Sequence, residues 1–326
     1  MKMYHLFCMI IALGIASCGA RSASNSEASA SATEAAPQLA VADFNADSAF
    51  AFVKRQCDFG ARVPLTPAHA QCGDWIEAQL QRFCDKVVAQ KAPLTTFDGK
   101  HLDATNYIGS IQPDAKKRIL LVAHWDCRPW ADADPDENKR QQAVMGANDG
   151  ASGVGVLLEL ARIMHEKKPA VGVDFLFVDA EDWGTSDDEL SWALGTQYWV
   201  QHPHVPNYQP MFGILLDMVG APDAQFYQEG FSMQSAPDLV EQIWTIAADA
   251  GYSNHFKSVT FGAATDDHVF ISRSGIPCID IIDMRPNSDN GFYPHWHTTG
   301  DTIDKISPAT LKAVGQSLIN LIYGLQ

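Results

Sequence analysis

Four short apolar runs in this chain each end in acidic or histidine residues, and that coupling constrains the fold more than any other feature. Residues 119–123 (Ile-Leu-Leu-Val-Ala) run into His124-Trp125-Asp126, and residues 173–178 run into Asp179-Ala180-Glu181-Asp182. Residues 212–216 run into Asp217, and residues 277–282 into Asp283. Apolar runs of this length predict strands buried on both faces, as in a central, largely parallel sheet. Helical periodicity lies between or beside them, over residues 154–166, 237–250, 267–273 and 308–324. Two amphipathic helices are expected earlier, over 44–58 and 68–85. In the second of these, Trp75, Ile76, Leu80 and Phe83 recur at helical spacing and read as core. Alternating strands and helices predict an α/β fold, a three-layer α/β/α sandwich around a mostly parallel mixed sheet. No internal repeat and no second domain is visible, so residues 43–326 are expected to form one catalytic domain. Ligands of such sheets bind beyond the C-terminal strand ends, which here carry the charge.

Acidic groups gathered at several strand ends repel one another unless a cation sits among them. With His124 and His297 nearby, the donor set suits zinc, which takes imidazole nitrogen and carboxylate oxygen and keeps a position open when catalytic. Asp149 stands in Gly146-Ala-Asn-Asp149-Gly-Ala-Ser-Gly153, where glycines allow a tight turn into the following helix; a simple helix cap is the alternative role. Glu181 and Asp182 form a carboxylate pair in which one can bind metal while the other moves protons. In His295-Trp296-His297-Thr298-Thr299-Gly300-Asp301, one histidine is a candidate ligand and the other a surface residue, with Asp301 a candidate to orient an imidazole.

Net charge and the amino terminus bound the partners. Of 326 residues, 23 are basic and 39 acidic, a formal net charge of −16. That excess argues against a nucleic-acid partner, because phosphate binding needs surplus Lys and Arg. No apolar run reaches the roughly 20 residues of a membrane-spanning helix. Residues 6–16 form an apolar stretch that reads as the core of a signal peptide over residues 1–17. It ends Ile15-Ala16-Ser17-Cys18, which resembles a bacterial lipobox, so Cys18 is expected to be lipidated. Residues 18–42, rich in Ser and Ala, are expected to tether the enzyme to a membrane face in the periplasm. Among Cys57, Cys72, Cys84, Cys127 and Cys278 the pairing is open, although a 72–84 bridge is disfavoured by their separation along one helix.

Taken in order, His124-Trp-Asp126, Gly146-Ala-Asn-Asp149-Gly-Ala-Ser-Gly, Glu181-Asp182, Leu216-Asp217 and His297-Thr-Thr-Gly-Asp-Thr resemble the M28 zinc-peptidase pattern over roughly residues 45–326. Within it the chain most resembles the animal-type glutaminyl-peptide cyclotransferases, in particular the bacterial ones. Trp296 directly before His297, Asp217-Met-Val-Gly-Ala-Pro222, Thr265-Asp266-Asp267-His268 ahead of Gly275-Ile-Pro277, and Trp183 and Trp192 after the carboxylate pair carry this narrower resemblance. It implies one zinc per chain held by Asp149, Asp182 and His297, with Glu181 as acid/base. It implies that Asp217 and Asp266 share an active-site hydrogen-bond network and that Trp183 and Trp296 wall the substrate pocket. His124 and Asp126 match residues that help hold a second zinc in the aminopeptidases and that the cyclases keep without using as ligands. The implied substrates are peptides and exported proteins that begin with glutamine. Two positions depart from the animal pattern: Asp182 replaces Glu, and Asp280 stands where those enzymes place His. A di-zinc aminopeptidase is the rival expectation, and a binding protein that has lost catalysis is a third.

Overall fold

The four apolar runs become four neighbouring parallel strands. In the computed structural model, which describes residues 42–326, these are β3 (Arg118–His124), β4 (Gly172–Val178), β5 (Gly213–Asp217) and β8 (Cys278–Ile282). They lie in a six-stranded sheet of order β1-β2-β4-β3-β5-β8. The expected leader, Cys18 and all but the last residue of the tether fall outside the described residues.

Two strands of that sheet escape the sequence reading. β1 (Lys86–Thr95) and β2 (His101–Ile111) form an antiparallel hairpin, and β2 also runs antiparallel to β4. β1 is an edge strand with mixed exposure and a proline at 93, so it lacks an unbroken apolar run. A separate short pair, β6 (Phe226–Gln228) and β7 (Phe256–Thr260), lies outside the main sheet.

Alternation along the buried strands builds the sandwich. Ile119, Leu121, Val173, Phe175, Ile214, Leu216, Ile279 and Ile281 face one core, with the helices α1 (Ala46–Asp58), α2 (Pro67–Phe83), α3 (Ala151–Glu166), α6 (Pro237–Asp249) and α8 (Pro308–Gly324). Leu120, Val122, Leu176, Leu215 and Cys278 face a second core, with residues of α4 (Leu194–Gln201) and α7 (Asp267–Arg273). Successive strand residues point to opposite faces, so one apolar run feeds both layers. α5 (Gly230–Ser235) completes the elements. Among the described residues, Cys57, Cys72, Cys84, Cys127 and Cys278 are all free thiols; Cys84 caps the end of α2.

Parallel pairing then delivers the charged ends together. Because β4, β3, β5 and β8 point the same way, whatever follows each of them emerges at one edge of the sheet.

Candidate active site

Each turn that supplies the site contains a residue in the left-handed region. Ala180 (φ 55°) precedes Glu181, Met218 (φ 49°) follows Asp217, Gly150 (φ 89°) follows Asp149, and His297 itself has φ 52°. Non-glycine residues held there are strained by about 1–3 kcal/mol each and cluster at functional sites. Gly150 has a second constraint: a Cβ would sit 2.7 Å from the Asp126 carbonyl oxygen and 3.1 Å from the His124 ring.

Those turns bring Asp149, Asp182 and His297 together, all buried, each with one donor atom within 4.8 Å of the others. His297 Nε2 lies 3.2 Å from Asp182 Oδ1 and 3.7 Å from an Asp149 oxygen. His124 Nε2 lies 3.0 Å from the other Asp149 oxygen and 3.2 Å from Asp217 Oδ1, so Asp149 is shared between two donor clusters.

Buried carboxylates hold these turns by their backbone. Asp126 accepts the N–H groups of both Glu181 (3.1 Å) and Asp182 (3.2 Å), and also approaches His124 Nδ1 at 3.5 Å. Asp301 accepts the N–H groups of Asn148 (2.8 Å) and Asp149 (3.1 Å). It thus braces the Asp149 turn and orients no imidazole, contrary to expectation. Burial and the nearby Asp149 raise the Asp301 carboxyl to about 7.

The sequence reading misses the group that ties this site together, in the stretch after Trp125 where no motif stands out. Arg128, 3 % exposed, donates from Nη1 to the Asp182 carboxylate and carbonyl, both at 3.1 Å. Through Nε and Nη2 it grips Asp132 at 2.8 and 2.6 Å, and Asp132 faces His297 Nδ1 at 3.3 Å. A carboxylate on Nδ1 fixes the imidazole tautomer and leaves Nε2 free as a donor to metal. A basic residue four positions before an Asp is too common a pattern to flag this from sequence.

Metal fit follows from the donor chemistry. One imidazole nitrogen and two carboxylates, buried and converging, with only Arg128 as a permanent cation against Asp182, suit Zn²⁺. Donors about 2.0–2.2 Å from a tetrahedral ion stand roughly 3.3–3.6 Å apart, near the 3.2 and 3.7 Å separations around His297 Nε2.

Beside the donors opens a cavity of about 320 Å³ whose walls include Glu181, Asp217, Asp266, Trp192 and Trp296. Burial and the charge of Asp266 raise the Glu181 carboxyl well above its usual range. Burial first, and then other carboxylates, raise Asp217 to about 6 and Asp266 to about 7. Asp266 also caps α7 through the Asp267 N–H at 2.6 Å. Asp280, behind this group, is wholly buried with no hydrogen-bond partner for either oxygen.

Two further expectations need correction. Trp183 does not wall this cavity: it is 2 % exposed and packs with Val63, Ala92, Leu102 and Trp130, its indole N–H reaching Asp98. Trp192 takes the wall position. Gly184 makes room for it, since a Cβ there would lie 2.1 Å from the indole. The strand-end Asp283 is not in the site either; it pairs with Arg285 at 2.6 Å and accepts the Gln225 N–H.

Residues 106–322 match the profile of Peptidase family M28, and the chain belongs to that family. Within it, a Bacteroides thetaiotaomicron glutaminyl cyclase solved with N-acetylhistamine is 48 % identical, with a TM-score of 0.86 over 88 % of this chain and 100 % of that one. A structure described as a leucine aminopeptidase precursor, also from Bacteroides thetaiotaomicron, is 48 % identical, with a TM-score of 0.85 over 88 % and 99 %. The glutaminyl-peptide cyclotransferase-like protein of Bos taurus is 23 % identical over 285 residues, 79 % of this chain and 70 % of the relative.

Proposed function

We propose that this chain is a zinc-dependent glutaminyl-peptide cyclotransferase that converts N-terminal glutamine of peptides and proteins to pyroglutamate and releases ammonia. The observation that carries the reading is Glu181: a buried carboxyl with a raised pKa, on a cavity walled by Trp192 and Trp296, directly beside the Asp149–Asp182–His297 donors. The similarity to solved bacterial glutaminyl cyclases supports it.

Asp149, Asp182 and His297 would hold one zinc. Bound there, the ion supplies Lewis acidity toward the γ-carbonyl oxygen of the substrate. Glu181 takes a proton from the attacking α-amine as the new C–N bond forms. It returns that proton to the amide nitrogen, which leaves as ammonia when the old C–N bond breaks. Asp217 and Asp266 line the same cavity, and the charge of Asp266 favours the protonated form of Glu181 that returns the proton. The indoles of Trp192 and Trp296 exclude water, which the intramolecular reaction does not need.

The second donor cluster, His124–Asp149–Asp217, favours a rival reading as a di-zinc aminopeptidase. Mass spectrometry of a Gln-initiated peptide after incubation separates them. Loss of one ammonia supports the cyclase, and loss of a whole residue supports the aminopeptidase. Two tightly bound zinc ions per chain would point the same way as residue loss.

The lipobox-like sequence supports a periplasmic enzyme anchored by an acyl chain on Cys18. Fractionating cells that carry Cys18→Ala tests this. Release of soluble enzyme or a block in processing is expected, and a fully processed, membrane-bound variant overturns it.

A further inference from the structure

Next to the catalytic cavity lies a second recess of about 340 Å³ that the mechanism leaves unused. The two share Ser186, Trp192, Trp296 and His297 as common lining. Beyond that shared wall the recess is lined by Phe97, Trp130, Arg128, Asp132, Gly184 and Thr185.

Its chemistry is aromatic, with the Arg128 guanidinium already paired to carboxylates. The Arg128 guanidinium is already committed to Asp132, Asp182 and backbone carbonyls, and lies over the rings of Trp130 and Trp192. Asp132 in turn is held by both Nε and Nη2 of Arg128. The guanidinium is thus outnumbered by the two carboxylates it holds, and it offers no free cation to an acidic side chain. Trp130 is fixed edge-on against Trp183, which gives that buried indole a role behind the recess. Phe97 sits in the turn between β1 and β2, edge-on to Trp130 at 6.1 Å, and is 47 % exposed. A large ring left in water at the mouth of an aromatic recess is available to a ligand.

Resting on the cyclase reading above, we infer that this recess is a subsite for the side chain of the residue that follows the N-terminal glutamine, and that it favours a flat, aromatic side chain there. The two cavities adjoin along their shared wall. The catalytic cavity holds the reacting amine and amide of the first residue, so the rest of the peptide must leave over its rim. One chain step of about 3.3–3.8 Å then carries the second residue past the wall the two cavities share. The side chain is received by Phe97, Trp130 and Trp192.

Steady-state ammonia release from Gln-Ala-Ala-amide, Gln-Phe-Ala-amide and Gln-Ala-Phe-amide tests this. The wild-type enzyme should favour Gln-Phe-Ala-amide over Gln-Ala-Ala-amide by roughly tenfold in kcat/KM, the scale set by burying an added ring in an apolar site. The preference should reside mainly in KM, because the ring is remote from the reacting atoms. Phe97→Ala, a change on an exposed turn, should bring that ratio toward one, and Trp130→Leu should do the same with zinc content intact. Equal efficiency toward the first two peptides overturns the subsite while leaving the cyclase reading standing. So does a ratio unchanged in Phe97→Ala, or a preference that appears only for Gln-Ala-Phe-amide. Failure of the wild-type enzyme to release ammonia from any of the three overturns the cyclase reading, and the subsite with it.

Discussion

Strand β4 buries carboxylates near both its ends and treats them in opposite ways. Near its start, Asp174 receives both arms of the Arg118 guanidinium at 2.7 Å, and the Ser110 and Tyr208 hydroxyls at 2.6 Å each. Burial alone would raise its pKa, yet these donors, with His204 nearby, hold it well below the usual carboxylate range. Past its other end, Glu181 is buried beside Asp266 and Asp182, and its pKa is driven up. The first carboxylate carries its counter-charge with it and is finished as a structural element. The second belongs to a group whose cationic partners are too few. A buried acid cluster of that kind is where a protein has left room for a metal ion and a movable proton.

Removing the ion's donors should strike hardest. Asp149→Ala, Asp182→Ala or His297→Ala should abolish both bound zinc, read by metal analysis of the purified protein, and turnover. Any of these variants that keeps stoichiometric zinc and near-normal activity removes that residue from the metal site. Glu181→Gln comes next in size. It leaves the three donors in place, so zinc should stay, while turnover falls by roughly 10²–10⁴-fold as expected for loss of general acid–base catalysis. Loss of zinc in this variant would instead make Glu181 part of the metal site.

At the other end of β4 the same kind of change should strike stability. Arg118→Met leaves Asp174 buried without its cation and should destabilise the fold by about 3–5 kcal/mol in denaturant titration. Affinity for zinc should be preserved in the fraction that remains folded. A drop in zinc affinity as large as the drop in stability would mean that the two ends are not independent.

The smallest effect concerns pH. Asp266 raises the Glu181 pKa by like-charge repulsion, after burial the largest cause. Removing that charge makes Glu181 easier to deprotonate, so its basic form persists to lower pH. Asp266→Asn should therefore move the acid limb of the kcat/KM profile to lower pH, by about one unit or less. A shift in the opposite direction would show that Asp266 acts on Glu181 through something other than charge.

Much of this site is legible in the amino-acid sequence because strands buried on both faces are apolar at most of their positions. The runs ending at His124, Asp182 and Asp217 identify themselves, as do the Gly146–Gly153 turn and the His297 motif. Trp183 shows the limit. Sequence places two indoles after Glu181-Asp182, and only packing says that Trp183 turns into the cluster with Trp130 while Trp192 lies on Gly184 and faces the cavity. Asp283 shows it again: its position after an apolar run matches that of Asp217, yet Arg285 two residues on claims it. β1 stays hidden because an edge strand needs to bury only part of its surface, and β2, although buried, carries Asp103, Thr105, Asn106 and Ser110 in place of an apolar run.

What the sequence determined by itself is the set of groups that apolar runs can place: which segments are the buried parallel strands, and which acids stand at their ends. Chain connectivity and the two-residue period of a strand are enough for that. Tertiary structure decided which of those acids share one cavity, which are neutralised elsewhere, and that Arg128 joins Asp182 to His297 through Asp132. The physical reason is that charge balance in a buried site is a sum over neighbours. Those neighbours, from Asp126 to Asp301, come from turns as much as 175 residues apart in the chain and meet only when the sheet closes its parallel edge.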